Sequence, residues 1–598
     1  MSVVTPAADR TSDRLVPRAV PAGALRQAVD ALICLALAVI LFRTFQIEGY
    51  MISTGSMAPS LLGFHKRAVC PNCGYHFAFG VSFEDAPETE PAREYRSRDP
   101  IHPELARAGS VPAATQAPQF SCCPNCGQSA IDVADVPRNQ GDQLLVNKSA
   151  YAFEDPHRWE AVVFRNPYKS TQAYVKRIIG LPGEQLQIID GDVFADGKIR
   201  RKDLDRQRAM RIPVFDNDYQ PHDDPDWSPR WVPGPHATAW KPGGHGFVFD
   251  GAAKFDGAAK GEDREGESTH GGDDRGIATS TRWSWTTYRH SVRSGGAHRT
   301  SVALASGAPH VRIPAAVLSP VQYDPSSRRL NCVGALTRKR YEELLAANTD
   351  AAVASAITVL YHESHFSPVT DVYGYNRSEG GVPPSAVRDL MFDAEVSIEG
   401  ASGAFAVEMT DGGQTFRCVF DLLEHEARLH VDGEPAAVRT APFSAERLKR
   451  SLRVEMSLFD RQVLVAVDGQ PLFDPLLLDD RRIVEAKPSC RPVRFGARGL
   501  RAQVSSIKLY RDVHYTRGRA RNGVEEPYAL DRNEYFVLGD NSPVSSDSRN
   551  WPDGAVPAHL LLGKPFIVHL PSRPGKIELG GVAHHFRIPD FARMRYIR

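Results

Sequence analysis

The sequence predicts a mainly β, antiparallel protein built from several domains. Length sets the domain count: 598 residues exceed the ~100–200 of a single domain. Composition sets the class: 47 glycines and 44 prolines punctuate short runs rich in β-branched and aromatic residues. The turns set the topology, because Asp-Gly and Pro-Gly pairs recur between those runs and close hairpins. Formal net charge is zero, with 72 basic and 72 acidic residues, so the chain lacks the footprint of a nucleic-acid binder.

The elements follow in order. Residues 1–24 form a basic tail with Arg10, Arg14 and Arg18. Residues 25–45 are expected to be one N-terminal transmembrane helix. Its apolar heart, "ALICLALAVILF" from Ala31 to Phe42, is uncharged but short of the roughly 20 residues a span needs. Extension to Leu25 and Phe45 reaches that length and takes in Arg26, Asp30 and Arg43. Arginines at the ends can snorkel, and Asp30 belongs near an interface. The basic tail places the N-terminus in the cytoplasm and the remainder outside. A cleaved signal peptide is the rival reading, against which stands the lack of a small-x-small site near Ser56.

Residues 46–66 begin a β-domain with "FQIEGYMISTGSM". Residues 67–128 hold two CPNC units separated by the Pro-rich, charged loop "EDAPETEPAREYRSRDP". Residues 129–202 return to strands in "GDQLLVNKSAYAF", "WEAVVFRNP" and "AYVKRIIGLPGEQLQIIDGDVFADGKI". Residues 203–524 read as an inserted β-sandwich with a mobile loop near 251–276. Two VDGxP hairpin turns, Val431–Pro435 and Val467–Pro471, fall within it. Residues 525–598 resume the first β-domain, so the middle is an insertion between halves far apart in sequence. Trp231, Trp240, Trp283 and Trp285 are expected in a core rather than on a ligand platform. His65, His76 and His157 show no special pattern.

A serine becomes a nucleophile only when a base takes its proton. Ser56 sits in a polar turn, without a GxSxG elbow or a convincing histidine partner. In "YVKRIIGLPGE" the alternation of a strand puts Tyr174, Lys176 and Ile178 on one face and Val175, Arg177 and Ile179 on the other. If Lys176's face is buried, desolvation lowers its pKa and a neutral amine can serve as general base. From spacing alone a solvated Lys-Arg pair is the favoured reading, because an isolated serine and lysine make a weak signal.

The ordered segments "STGSMAPSL", "GDQLLVNKSAYAF", "WEAVVFRNP", "YVKRIIGLPGE" and "GDNSPVSSDSRNW", after an apolar segment, resemble the boxes of type I signal peptidases, membrane-bound Ser/Lys proteases. The resemblance implies Ser56 as nucleophile and Lys176 as general base. It implies an oxyanion hole from the Ser56 backbone N–H and the Thr54 hydroxyl, where the family usually has serine. It implies that Ser545 orients Lys176, that Asp547 and Arg549 pair in support, and that Asp540 holds Arg177. "SPV" (Ser542–Val544) replaces the usual Arg-Asp-Asn, which leaves Ser545 and Ser546 both open as the lysine's support. The implied activity is serine endopeptidase cleavage of signal peptides from secretory preproteins, without a catalytic cofactor. The implied location is the cytoplasmic membrane, with membrane lipid as neighbour and the catalytic domain on the outer face.

The two CPNC units resemble a zinc ribbon, with Cys70, Cys73, Cys123 and Cys126 as a four-thiolate site for a structural zinc. Disulfides and redox activity are the competing fates, and Cys122 is spare or an alternative ligand. The inserted sandwich resembles laminin-G or concanavalin-like jelly rolls, which implies a carbohydrate or protein ligand. The rival reading of the whole is an anchored binding protein that works through the sandwich, its peptidase core inactive or self-processing.

Overall fold

The computed structural model describes residues 23–597 apart from 82–119, 225, 235–239, 252–281, 294–298, 309, 319, 377–383, 400–401, 444–449, 481–486, 518–519, 570 and 580–581. The basic tail through residue 22, the Pro-rich loop 84–100 and nearly all of the Gly-rich stretch 251–276 lie outside the described residues.

A helix does form at the start, Ala24–Phe45. The expectation of a spanning segment is not met, because among the described residues no helix is long and apolar enough to cross a membrane. Arg26 and Asp30 pair across one turn at 3.9 Å within the helix, which breaks its apolar run. Leu32, Leu35, Leu37 and Ile40 are nevertheless exposed, at 69%, 65%, 53% and 58%.

The protein is mainly β and antiparallel, as its turns predict. One eight-stranded sheet draws on both ends of the chain. Its order runs Ile47–Met51, Gln143–Asn147, Leu561–His569, Ala161–Asn166, Lys169–Gly180, Glu534–Leu538 and Val556–Pro557, with Arg595–Tyr596 beside Leu561–His569. The strand after residue 530 thus lies against the strand that carries Lys176, with Leu538 opposite Arg177 and Val537 opposite Ile178. The register slips between Phe536 and Val537, a bulge close to the lysine of the kind that re-aims side chains.

The insertion is a two-sheet sandwich. Nine strands, including Leu390–Glu399 and Arg501–Arg511, face seven, including Ala404–Thr410, Thr415–Asp421 and Val493–Arg498. Alternate residues from both sheets, among them Phe392, Val407, Phe416, Phe420, Phe495 and Val504, fill the space between. The second VDGxP turn is a tight hairpin, Val467 opposite Gln470, with Asp468 at φ 49° and Gly469 at φ 84°. Asp-Gly suits it because both central residues take the left-handed region.

Strands are not the whole insertion. Residues 299–364 form a separate α/β unit, in which Arg299–Ala303, Arg329–Val333 and Val321–Asp324 pack against helices Arg338–Ala347 and Ala351–Ser364. The tryptophans divide. Trp231 and Trp240 are core residues, 2% and 3% exposed. Trp283 and Trp285 stack on each other at 5.2 Å on the outer face of the seven-stranded sheet, which corrects the expectation that they are core.

Candidate active site

Ser56 lies in a short helical turn, Gly55–Met57, directly after the edge strand Ile47–Met51. The loop around it is held shut. Asp142 accepts from Leu62 N (3.0 Å), its own N–H donates to Leu62 O (2.8 Å), and Ile52 N donates to its backbone oxygen (2.9 Å). Thr54 Oγ1 is 3.5 Å from Ser56 Oγ, so the threonine hydroxyl stands beside the serine.

Lys176 is 3% exposed and belongs to the strand that contacts the Ser56 turn. Val162 lies directly opposite it in the sheet, and Val162, Ile178, Val537 and Trp551 pack as an apolar cluster with Tyr174 at its edge. Lys176 Nζ donates to Ser545 Oγ at 2.9 Å. Ser546 instead accepts from Trp551 Nε1 at 3.2 Å, so Ser545 is the serine that meets the lysine. Burial pushes the Lys176 ammonium down to about 8, against the upward pull of the Asp547 carboxylate.

Arg177 is not a solvated neighbour. It is 2% exposed and makes a bidentate pair with Asp540, at 2.7 and 2.6 Å, while donating to Trp159 O at 2.6 Å. Asp547 is fully buried; it accepts from Arg549 Nε and Nη2 at 2.9 Å each and from Gly539 N at 3.1 Å. Burial alone would raise its carboxyl, but the Arg549 guanidinium and then the Lys176 ammonium hold it below the usual range. Ser542, the first residue of the unusual "SPV", accepts from Arg549 Nη1 at 2.7 Å and from Thr516 N at 2.9 Å.

One glycine ties the two serines together. A Cβ on Gly539 would meet Ser545 Oγ at 2.3 Å and Ser56 O at 2.4 Å, so only glycine lets the turn and the lysine's support approach the same backbone. Next to it, Asn541 N donates to Ser56 O (3.0 Å) and Asn541 Nδ2 to Gly55 O (2.9 Å). Asn376, from the insertion, exchanges two hydrogen bonds with Asn541, at 2.8 and 2.6 Å. Gly80 N donates to Tyr375 O at 2.7 Å. Sequence reasoning missed Asp142, Asn376 and Asn541. Asn541, inside "GDNSPVSS", was the one within reach, since it adjoins Asp540.

A match to the family model described as "Signal peptidase, peptidase S26" covers residues 135–237 and 427–570. Lys176, Arg177, Asp540, Ser545, Asp547 and Arg549 lie in the matched segments, and Ser56 lies upstream of them. Over these two segments the chain is similar to the signal peptidase family S26. It is 36% identical over 91 residues to a probable signal peptidase I-2 of Synechocystis sp., covering 14% of the chain and 38% of the relative. It is 39% identical over 59 residues to signal peptidase I V of Bacillus subtilis, covering 10% and 34%. It is 33% identical over 100 residues to a signal peptidase I of Leptolyngbya laminosa, covering 15% and 42%. The chain therefore spans about two fifths or less of the length of these relatives. Among solved structures, a carbohydrate-binding module of Bacillus subtilis aligns at 10% identity and TM-score 0.17, over 21% of this chain and 78% of that one. A galectin of Caenorhabditis elegans aligns at 11% and 0.16, over 20% and 81%.

The chain also brings its four paired cysteines together. Cys70, Cys73, Cys123 and Cys126 are buried, and their Sγ atoms lie within 4.8 Å of one another. Cys70–Cys126 and Cys73–Cys123 sulfurs are 3.6 and 3.7 Å apart, too far for a disulfide at about 2.05 Å. They match the spacing of thiolates placed about 2.3 Å from one tetrahedral zinc. Gly74 and Gly127, at φ 74° and 75°, close two equivalent knuckles, with Gly74 N donating to Cys70 O and Gly127 N to Cys123 O, both at 2.9 Å. Cys126 is pulled down to about 2 by hydrogen bonds from the Cys123 and Cys73 thiols, and Cys123 is raised by the same contacts. Cys122 points away, its sulfur 3.8 Å from Cys123 O.

Proposed function

We propose that this chain is a serine endopeptidase that removes signal peptides from exported preproteins with a Ser56–Lys176 dyad. The observation that carries the reading is the buried Lys176 amine. It is desolvated to a pKa of about 8, has a hydroxyl rather than a carboxylate as its hydrogen-bond partner, and sits on the strand that touches the Ser56 turn. Neutral Lys176 takes the Ser56 proton as Oγ attacks the scissile carbonyl carbon, and the carbonyl oxygen becomes an oxyanion. Ser56 N–H and the Thr54 hydroxyl donate to that oxyanion, and each such donor is worth a few kcal/mol in the transition state. The tetrahedral species collapses, the C–N bond breaks, and Lys176 returns the proton to the leaving amine. Water then gives a proton to the same amine as its oxygen attacks the acyl carbon, the Ser56 Oγ–C bond breaks, and Lys176 returns that proton to Ser56 Oγ.

Among the described residues Ile47–Met51 pairs on one side only, with Gln143–Asn147, and it leads into the Ser56 turn. An extended substrate can add to that free edge as a strand. The exposed leucines of Ala24–Phe45 support a reading in which this end of the molecule meets a lipid surface, where signal peptides are cut. Cys70, Cys73, Cys123 and Cys126 would hold a zinc whose part is structural, because four thiolates leave no open position.

Cleavage of a preprotein by the purified full chain tests the reading. Ser56→Ala is expected to lower turnover by up to about 10⁶-fold. A Ser56→Ala protein that cuts at the wild-type rate ends the proposal. One zinc per chain, lost in Cys70→Ser, is the expected result for the cysteine module.

A further inference from the structure

The outer face of the seven-stranded sheet, on the inserted sandwich, is built as a trench. Its register shows how. Across the sheet, Trp285 lies opposite Gly496, Gly496 opposite Ala406, Ala406 opposite Val419 and Val419 opposite Arg428. The floor is therefore glycine, alanine and valine, with an indole at one end. A Cβ on Gly496 would meet Trp285 Cε3 at 2.6 Å, so that glycine lets the indole lie flat on the sheet. The next row is polar throughout: Thr287, Arg494, Glu408, Arg417 and His430.

These side chains are organised before any ligand arrives. Glu408, only 8% exposed at its side chain, accepts from Arg417 Nε at 2.6 Å and from Arg494 Nε at 2.5 Å. The Arg494 and Arg417 guanidiniums lie 4.4 and 5.4 Å from the Trp285 ring centre, and Arg498 lies 4.9 Å from that of Trp283. The cavity above them measures about 740 Å³, within the range of small-molecule sites. A further 310 Å³ adjoins it, sharing Glu408 and Arg494 in its wall.

From these features we infer that the trench binds a neutral oligosaccharide. Arginine forks on either side of one carboxylate put donors and acceptors side by side, which suits hydroxyls that both donate and accept. Trp283 in the cavity wall, with Trp285 stacked behind it, adds apolar aromatic surface for the C–H groups of a sugar ring. Charge argues against a polyanion, because four arginines in the lining, 417, 428, 494 and 498, are balanced by Glu408, Asp421, Asp432 and Glu434. Backbone pairing argues against an extended peptide. Ala404–Thr410 and Thr415–Asp421 are each hydrogen-bonded to strands on both sides and present no free edge. The site is separate from the peptidase residues and stands whether or not the chain is a peptidase.

The full-length protein, titrated with neutral oligosaccharides of glucose, galactose, mannose or N-acetylglucosamine while tryptophan fluorescence is followed, tests this. One sugar class should saturate and change the emission, both free and carried on a protein. Trp285→Ala should weaken that binding at least tenfold. Arg417→Gln, a change at a half-exposed side chain that leaves the floor intact, should weaken it severalfold. Preprotein cleavage should be unchanged in both. The inference is overturned if no neutral sugar saturates, if only a sulfated or uronic polymer binds, or if folded Arg417→Gln and Trp285→Ala proteins bind as the wild type does.

Discussion

Two lysines of this protein are buried to the same depth and are in opposite states. Lys176 is 3% exposed and Lys202 2%. Burial works against the charge of each, but their partners differ. Lys202 is clamped by Asp460 and by Asp512 at 2.8 Å, and lies 4.4 Å from the Trp159 ring centre. Burial pushes its ammonium down, yet the two carboxylates outweigh that and raise it well above the ordinary value. Lys176 meets a serine hydroxyl, and the nearby Asp547 is already engaged by Arg549, so burial wins. Depth alone does not make a base. What makes one is depth without a carboxylate in hand.

Substitution can break or sharpen the contrast. The largest expected effect is on turnover. Lys176→Met should lower preprotein cleavage on the order of 10²–10⁴-fold, the usual worth of a general base, with thermal stability unchanged or raised. Lys202→Met should do the reverse. It strands Asp460 and Asp512 beside Asp192 and Asp389, and should destabilise by about 3–5 kcal/mol in denaturant unfolding while the folded fraction still cleaves. Equal loss of turnover in both would erase the distinction.

Next in size is Ser545→Ala, which removes the hydroxyl that accepts from the Lys176 amine and should cost roughly 10–100-fold in kcat/KM, whereas Ser546→Ala should cost little. The pH profile is a finer probe. In the proposed mechanism Lys176 acts as the neutral amine, so kcat/KM should rise about tenfold per pH unit up to about 8 and then level. Its pKa is lowered from 10.5, so between about 8 and 10.5 the unfolded chain holds a proton that the folded chain has released. Its contribution to stability therefore increases as pH rises through that window. An acid limb that does not move in Ser545→Ala would mean that another group titrates. The smallest effect belongs to Asn376→Ala, which loses two hydrogen bonds to Asn541 and should slow cleavage about fivefold through a looser Ser56 turn.

The strands and turns were legible because alternation and Asp-Gly pairs are local. Ser56, Lys176 and the four paired cysteines could be singled out as candidates because each sits in a short ordered motif, whereas Ser545 could not be told from Ser546 until Lys176 was seen to donate to it. Other features were not legible. The helices at 338–364 were missed because the strand-rich flanks dominated the reading. The helix at Ala24–Phe45 forms, but Arg26 and Asp30 cut its apolar run below what a span requires. Trp283 and Trp285 looked like core because sequence does not say which face of a sheet is covered. Asn376 was invisible, being 165 residues from the asparagine it meets.

By itself the sequence determined which residue types could do chemistry: a turn serine, a strand lysine, paired cysteines and hairpin-forming Asp-Gly steps. These depend on neighbours a few positions away. Tertiary structure alone decided that Lys176 has a hydroxyl and Lys202 two carboxylates for company, and that Asn376 braces the serine turn. A pKa depends on charges and water within a few ångströms, and those arrive from strands hundreds of residues distant along the chain.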